Sequence, residues 1–204
     1  MASGYTFVII TDSQEPEKLE RNIASIQALS MPAYEILVSR DVDRSGKLGK
    51  LRNAGCRMTG FDHLIVADDD LIFQPDFYQG LLDYGEDYDV QCCRLLNPDG
   101  TRYWDWKAHQ GGKNWLLDYD ETSPHVSVTG GLVIMKTWVF DMVQWDERRG
   151  FYQEEDVDFS NRLKAAKLRI SFNIYSSVVH DGPYTQHGTG VFKVEEQTWQ
   201  YEAL

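Results

Sequence analysis

A chain of 204 residues, 42% hydrophobic and 13% aromatic, is long enough for one sizeable core, too apolar to be disordered and short for two domains. Its 20 basic against 32 acidic residues, a formal net charge of −12, exclude a general affinity for nucleic-acid backbones or anionic membranes and favour a cation beside the acidic clusters. Three cysteines suggest no disulfide framework, and the N-terminal apolar run Phe7–Ile10 is too short for a signal sequence or a membrane span. A reducing cytoplasm is the expected compartment, with contact at a membrane surface as the alternative.

Tyr5 to Ile10 reads as a buried strand and Thr11-Asp12-Ser13 as the turn leaving it. Pro16 sits where a first helical turn tolerates proline, and Leu19, Ile23, Ile26 and Leu29 share one helical face, so a helix is expected to run until Pro32 stops it. Tyr34 to Ser39 makes a second strand that runs into Arg40 and Asp41. Gly46 to Met58 reads as a second helix, with Leu48, Leu51, Gly55 and Met58 on one side. A third strand, Leu64 to Ala67, ends in Asp68-Asp69-Asp70, and the apolar run Leu71-Ile72-Phe73 follows at once. Such alternation predicts an α/β fold, a single Rossmann-like domain over 1–204, with a mostly parallel sheet covered by helices on both faces. Ligands of such sheets lie beyond the carboxyl ends of the strands, where Thr11, Asp41 and Asp68 to Asp70 all fall.

Adjacent carboxylates repel and raise one another's pKa unless a cation sits among them. Hard oxygen ligands suit magnesium, manganese or calcium, so Asp68 and Asp70 read as a site whose metal holds an anionic substrate. A solvated acidic turn is the bland alternative.

A fourth strand is expected over Tyr88 to Leu95; from Asn97 to Pro124 no period is sustained. That segment reads as a long loop of the kind that closes over ligands. Its Trp104, Trp106 and Trp115 could stack on sugar rings or plug the core beneath. Thr129-Gly130-Gly131 precedes a buried strand, Leu132 to Met135, and Thr137 to Val143 reads as a short helix. After a connection over Trp145 to Tyr152, Glu154-Glu155-Asp156-Val157-Asp158 heads a helix; the dipole accounts for one or two carboxylates there, not four. Two strands, Arg169 to Ile174 and Ser176 to Val179, lead to His180, which beside two acidic clusters reads as a metal ligand more readily than as a surface hydrogen-bonder.

Four motifs carry a resemblance: Lys50-Leu51-Arg52-Asn53-Ala54-Gly55, Asp68-Asp69-Asp70-Leu71-Ile72, Gly130-Gly131, and Glu155-Asp156-Val157-Asp158-Phe159-Ser160-Asn161-Arg162-Leu163. In order and spacing the chain resembles the nucleotide-diphospho-sugar glycosyltransferases of the GT-A fold, the family-two type, and in detail β-1,4-galactosyltransferases and polypeptide N-acetylgalactosaminyltransferases. The resemblance implies a nucleotide-sugar donor, most naturally UDP-linked, a carbohydrate or glycoconjugate acceptor, and Mn²⁺ or Mg²⁺ as cofactor. It implies donor contacts for Thr11, Asp41, Lys50, Asn53, Asp68, Asp69 and Gly131, with Asp41 on the base and Asp68 on the ribose or a metal-bound water. Asp70 and His180, with Asp68, would hold the metal. Asp156 would be the catalytic base, Glu155 would bind sugar hydroxyls, and Trp104, Trp106 and Asp158 would face the acceptor. Residues 1–95 would form the nucleotide half and 96–204 the acceptor half. The chain departs from the family's pattern where Gln153-Glu154 replaces a glycine pair. A metal-dependent phosphohydrolase or nucleotidyltransferase would also use Asp clusters, and a non-catalytic sugar- or partner-binding module could keep the fold and the tryptophans without the base.

Overall fold

The computed structural model describes residues 1–12, 14–41, 45–149 and 153–182. Along the chain the elements are β1 (Ala2–Thr11), α1 (Pro16–Gln27), β2 (Tyr34–Arg40), α2 (Leu48–Cys56), β3 (Phe61–Asp68), β4 (Leu71–Phe73), α3 (Phe77–Tyr84) and β5 (Val90–Leu96). There follow β6 (Lys107–Gln110), β7 (Lys113–Leu116), β8 (Val126–Ser127), β9 (Leu132–Lys136), α4 (Thr137–Met142), α5 (Glu155–Ala165) and β10 (Ile170–His180).

Period-two alternation in the first strand lays down two cores at once. Phe7 and Ile9 of β1 join Ile65 and Ala67 of β3 on one face, closed by Leu19 and Ile26 of α1 and Phe77 and Leu81 of α3. Val8 and Ile10 join Leu64 and Val66 on the other, closed by Leu48 and Cys56 of α2, Val139 of α4 and Phe159 and Leu163 of α5. The main sheet has seven strands in the order β2-β1-β3-β9-β5-β10-β4. β1 pairs in parallel with β2 and β3, and β5 with β10; β9 runs antiparallel between β3 and β5, and β4 antiparallel on β10. Strands β1, β2, β3, β5 and β10 thus point one way, the mostly parallel α/β sheet that the sequence predicts. Among the described residues no helix is long and apolar enough to cross a membrane.

Three expectations are corrected. α1 stops at Gln27, ahead of Pro32, because Leu29 and Met31 turn into the core through tighter bonds, Leu29 N to Ile26 O and Met31 N to Leu29 O. The two strands expected after Arg169 are one, β10, with a bulge between Asn173 and Ser177. There the buried Asn173 Oδ1 accepts the amides of Tyr175 (2.8 Å) and Ser176 (3.3 Å) in place of ladder bonds, and Gly80 of α3 packs so close that a Cβ would stand 2.5 Å from the Tyr175 carbonyl.

Residues 97–124, expected as a loop, contribute β6 and β7 to a second sheet of order β7-β6-β8. Its organiser is polar, so no apolar period announces it. The fully buried Asp105 accepts from Trp106 N (2.6 Å), Arg102 Nε (2.7 Å) and Tyr119 Oη (2.8 Å). Arg102 lies over the Tyr119 ring and donates to Leu117 O at 2.8 Å. Burial pushes the Asp105 carboxyl up, and Arg102 pulls against it.

Candidate active site

The acidic turn between β3 and β4 is held from α1. Asn22 Nδ2, fully buried, donates to Leu71 O at 2.7 Å and Asp68 O at 3.3 Å, and Ser25 Oγ accepts Phe73 N at 3.0 Å. From the other side Asp181 N donates to Asp70 O at 2.6 Å, which brings the end of β10 to the turn. Asp70 Oδ2 then lies 3.3 Å from His180 Nε2, and the His180 ring stacks on Tyr103 with centroids 4.4 Å apart. Burial alone would raise Asp70; the hydrogen bond and charge of His180 hold it below the usual carboxylate range.

Two clefts meet at Asp68. The first, about 210 Å³, is lined by Thr11, Asp41, Lys18 and Leu48 together with Asp68, Asp69 and Asp70. Asp41 N donates to Thr11 O at 3.0 Å, and the Asp41 carboxylate accepts Gly46 N at 2.7 Å and Ser45 N at 3.0 Å. Burial would raise Asp41, but those amides hold it low; Asp69 is raised by burial against the Thr11 hydroxyl.

The second cleft, about 290 Å³, is lined by Asp68, Tyr103, Trp104, Lys107, Gly130, Gly131, Glu155, Asp156 and His180. Glu155 and Asp156 sit in the first turn of α5, which Glu154 enters in left-handed conformation (φ 53°) without a side-chain cap. Arg52 ties this helix head to the acidic turn: it is 2% exposed, donates to Glu155 Oε1 at 3.0 Å and to Gly130 O at 2.7 Å, and lies 3.5 Å from Asp68 Oδ1. Burial opposes its charge, but Asp68, Glu155 and Asp156 outweigh that and raise it. Asp68 is pushed up to about 7, by burial first, with Asp70, Glu155 and Asp69 adding to it and Arg52 opposing. Asp156 goes the other way: burial would raise it, but the Lys107 ammonium 2.5 Å away, the Val157 amide and Arg52 hold it below the usual range.

The structure therefore brings Thr11, Asp41, Asp68, Asp69 and Asp70 to one cleft and Asp68, Trp104, Gly131, Glu155, Asp156 and His180 to the other. Four expected site residues lie elsewhere. Asn53 is a buried staple, its Nδ2 donating to Trp145 O (2.9 Å) and its Oδ1 accepting Trp145 N (3.1 Å). Lys50 is exposed on α2 and lines neither cleft. Trp106 is 3% exposed in the core, tilted on Phe172 and donating to Glu121 O. Asp158 is engaged by Arg162 at 2.8 Å and Arg149 at 3.5 Å, outside the cleft wall. Asp68 also faces Arg52 instead of completing a trio of ligands: among the described residues no three His, Cys, Asp or Glu side chains converge on a metal position.

Sequence reasoning passed over Arg52, Lys107 and Tyr103. Arg52 carried a signal, a charge at the i+4 position between Leu48 and Cys56 on the buried face of α2. Lys107 and Tyr103 carry none: Lys107 is placed by the small sheet, which no apolar period announces, and Tyr103 by its amide bond to Leu95 O of β5 at 2.8 Å.

No curated protein sequence matches the chain. The fold is similar to the catalytic domain of Drosophila β1,4-galactosyltransferase 7 in complex with xylobiose (TM-score 0.59, 18% identity, 84% of this chain and 65% of that one). It is similar to GalNAc-T7 with UDP, GalNAc and Mn²⁺ (TM-score 0.66, 14% identity, 88% and 44%) and to TarS 1–349 of S. aureus (TM-score 0.60, 16% identity, 87% and 60%). The chain thus spans between 44% and 65% of these solved chains, and at such identities the likeness is one of fold. At the level of sequence, residues 5–200 match the family described as Glycosyltransferase like family 2, and the chain belongs to that family.

Proposed function

We propose that the protein transfers a sugar from a nucleoside-diphosphate sugar, with UDP as the nucleotide, to the hydroxyl of a carbohydrate or glycoconjugate acceptor, with inversion at the anomeric carbon. The observation that carries this reading is the division of carboxylates between two clefts that share Asp68. Thr11, Asp41 and Asp69 would take the nucleoside in the first, within residues 1–95; Trp104, Glu155 and Asp156 would take the acceptor in the second, within 96–204. A mutant of the Drosophila enzyme, 17% identical, has been solved with manganese, UDP-Gal and xylobiose, which supports a nucleotide-sugar donor and a carbohydrate acceptor as ligand classes.

The residues present fit a divalent cation. Asp70 supplies hard carboxylate oxygen, His180 an imidazole, and His180 Nδ1 is buried with no hydrogen-bond partner among the described residues. Asp70 and His180 would hold Mn²⁺ or Mg²⁺, and Asp68 would act through a bound water. When bound, the cation offsets the negative charge that grows on the leaving diphosphate. The remaining steps belong to the chain. Asp156, held ionised, takes the proton of the attacking acceptor hydroxyl. Glu155, anchored by Arg52, offers its other oxygen to a sugar hydroxyl and so fixes the line of attack opposite the diphosphate.

A panel of nucleotide sugars with and without Mn²⁺, read by thermal melting, tests this. A ligand that binds only the folded state raises the melting temperature by mass action, so Asp70→Asn should abolish the metal-linked shift. An undiminished shift in that variant would contradict the assignment of Asp70.

A further inference from the structure

Lys107 opens β6, the strand that Asp105 anchors, yet its side chain turns inward and keeps only 11% exposure. Its Nζ lies 2.5 Å from Asp156 Oδ2, while Asp156 Oδ1 accepts the amide of Val157 at 2.8 Å. Both carboxylate oxygens are thereby fixed, one by the helix that carries them and one by the small sheet. Exposed ion pairs return little free energy, but this pair lies in a cleft wall, with Asp156 itself at 15% exposure.

We propose that Lys107 is a positioning residue for Asp156: it orients the carboxylate toward the acceptor cleft and supplies the counter-charge under which it works as a base. The inference rests on the reading of Asp156 as that base. The charged and titratable groups around Asp156 are Lys107 on β6, Tyr103 ahead of it, Arg52 on α2, Asp68 at the end of β3, His180 at the end of β10, and Glu154, Glu155 and Asp158 on or beside its own helix. Of the two permanent cations, Arg52 is hydrogen-bonded to Glu155 and Gly130, which leaves Lys107 as the group bonded to Asp156. Two residues along β6, His109 Nε2 stands 3.9 Å from Glu154 Oε1, so this strand lays its basic side chains over the acidic helix head.

The test needs no substrate. In protein labelled with ¹³C at aspartate carboxyls, the Asp156 resonance is identified by its loss in Asp156→Asn and followed against pH. An opposite charge in contact lowers a carboxylate pKa by ~1–3 units, so Lys107→Met and Lys107→Gln should raise the midpoint by that amount, and Lys107→Arg should restore most of the difference. A midpoint that stays put in the Met and Gln variants would overturn the inference. Loss of the fold in both would overturn it too, since the pair would then serve the fold alone. Transfer activity surviving in Asp156→Asn would instead defeat the reading of Asp156 as base, and the titration would stand apart from that result.

Discussion

Arg52 shows how one side chain can bind two distant acidic groups into a site. It reaches from α2 to Glu155 on α5, to the Gly130 carbonyl and to Asp68 at the end of β3. Removing one partner from a buried ion pair leaves the other charge uncompensated, at a cost of ~3–5 kcal/mol. Arg52→Met should therefore lose stability of that order in urea denaturation, and a loss below about 1 kcal/mol would show that Glu155 and Asp68 reach water or protonate instead. Asp41 makes a second, pH-dependent contribution. Its folded pKa lies below the ordinary value near 4, so the stability it contributes is present above about pH 4 and is lost as the pH falls through the folded value. The melting temperature should drop as the pH goes below about 4, and Asp41→Asn should make that drop shallower; parallel curves would assign the acid sensitivity to other carboxylates. Asp68, Asp70, Glu155 and Asp156 were legible in the sequence because carboxylates crowded at strand and helix ends need a reason. For Asn53 and Asp158 a motif position says nothing of which way a polar side chain turns. Asn53 turns to the Trp145 backbone and Asp158 to two arginines.

The elements with an apolar period, β1, α1, β3, β9 and α5, could be read from the chain, and the small sheet could not. Its strands are four, four and two residues long, and their order comes from Asp105 and Arg102 rather than from alternation. Two tryptophans from the same stretch accordingly have opposite fates. Trp106 is buried against Phe172 and hydrogen-bonded to Glu121 O, whereas Trp104 lines the second cleft. Trp106→Ala should cost ~3–5 kcal/mol through the cavity it leaves. Trp104→Ala should keep most of the stability and raise the acceptor Michaelis constant. Equal destabilisation by both in denaturant melts would make Trp104 a core residue as well. The bulge in β10 was also beyond sequence reasoning, because Asn173 satisfies amides that a regular ladder would have paired, and polar residues in a strand look like its end.

Strand direction explains why both clefts lie on one edge of the molecule. Thr11, Asp68 and His180 close the parallel strands β1, β3 and β10, and Asp41 follows β2. Gly130 and Gly131 precede β9, which runs the opposite way, so its beginning meets the ends of its neighbours; Asp68 N donates to Gly131 O at 3.0 Å across that junction. The rule that ligands gather beyond the carboxyl ends of a parallel sheet was enough to predict the first cleft. The second depended on the reversed β9 and on a sheet built from polar contacts, which no period in the chain foretold. The proposed transfer requires that one carboxylate beside the two clefts take the acceptor's proton. In Asp156→Asn, assayed with the nucleotide sugar that the melting panel selects, turnover should fall by ~10²–10⁴ while the donor dissociation constant stays within about twofold of the parent. Transfer at near the parent rate in that variant would contradict the assignment of Asp156 as the base.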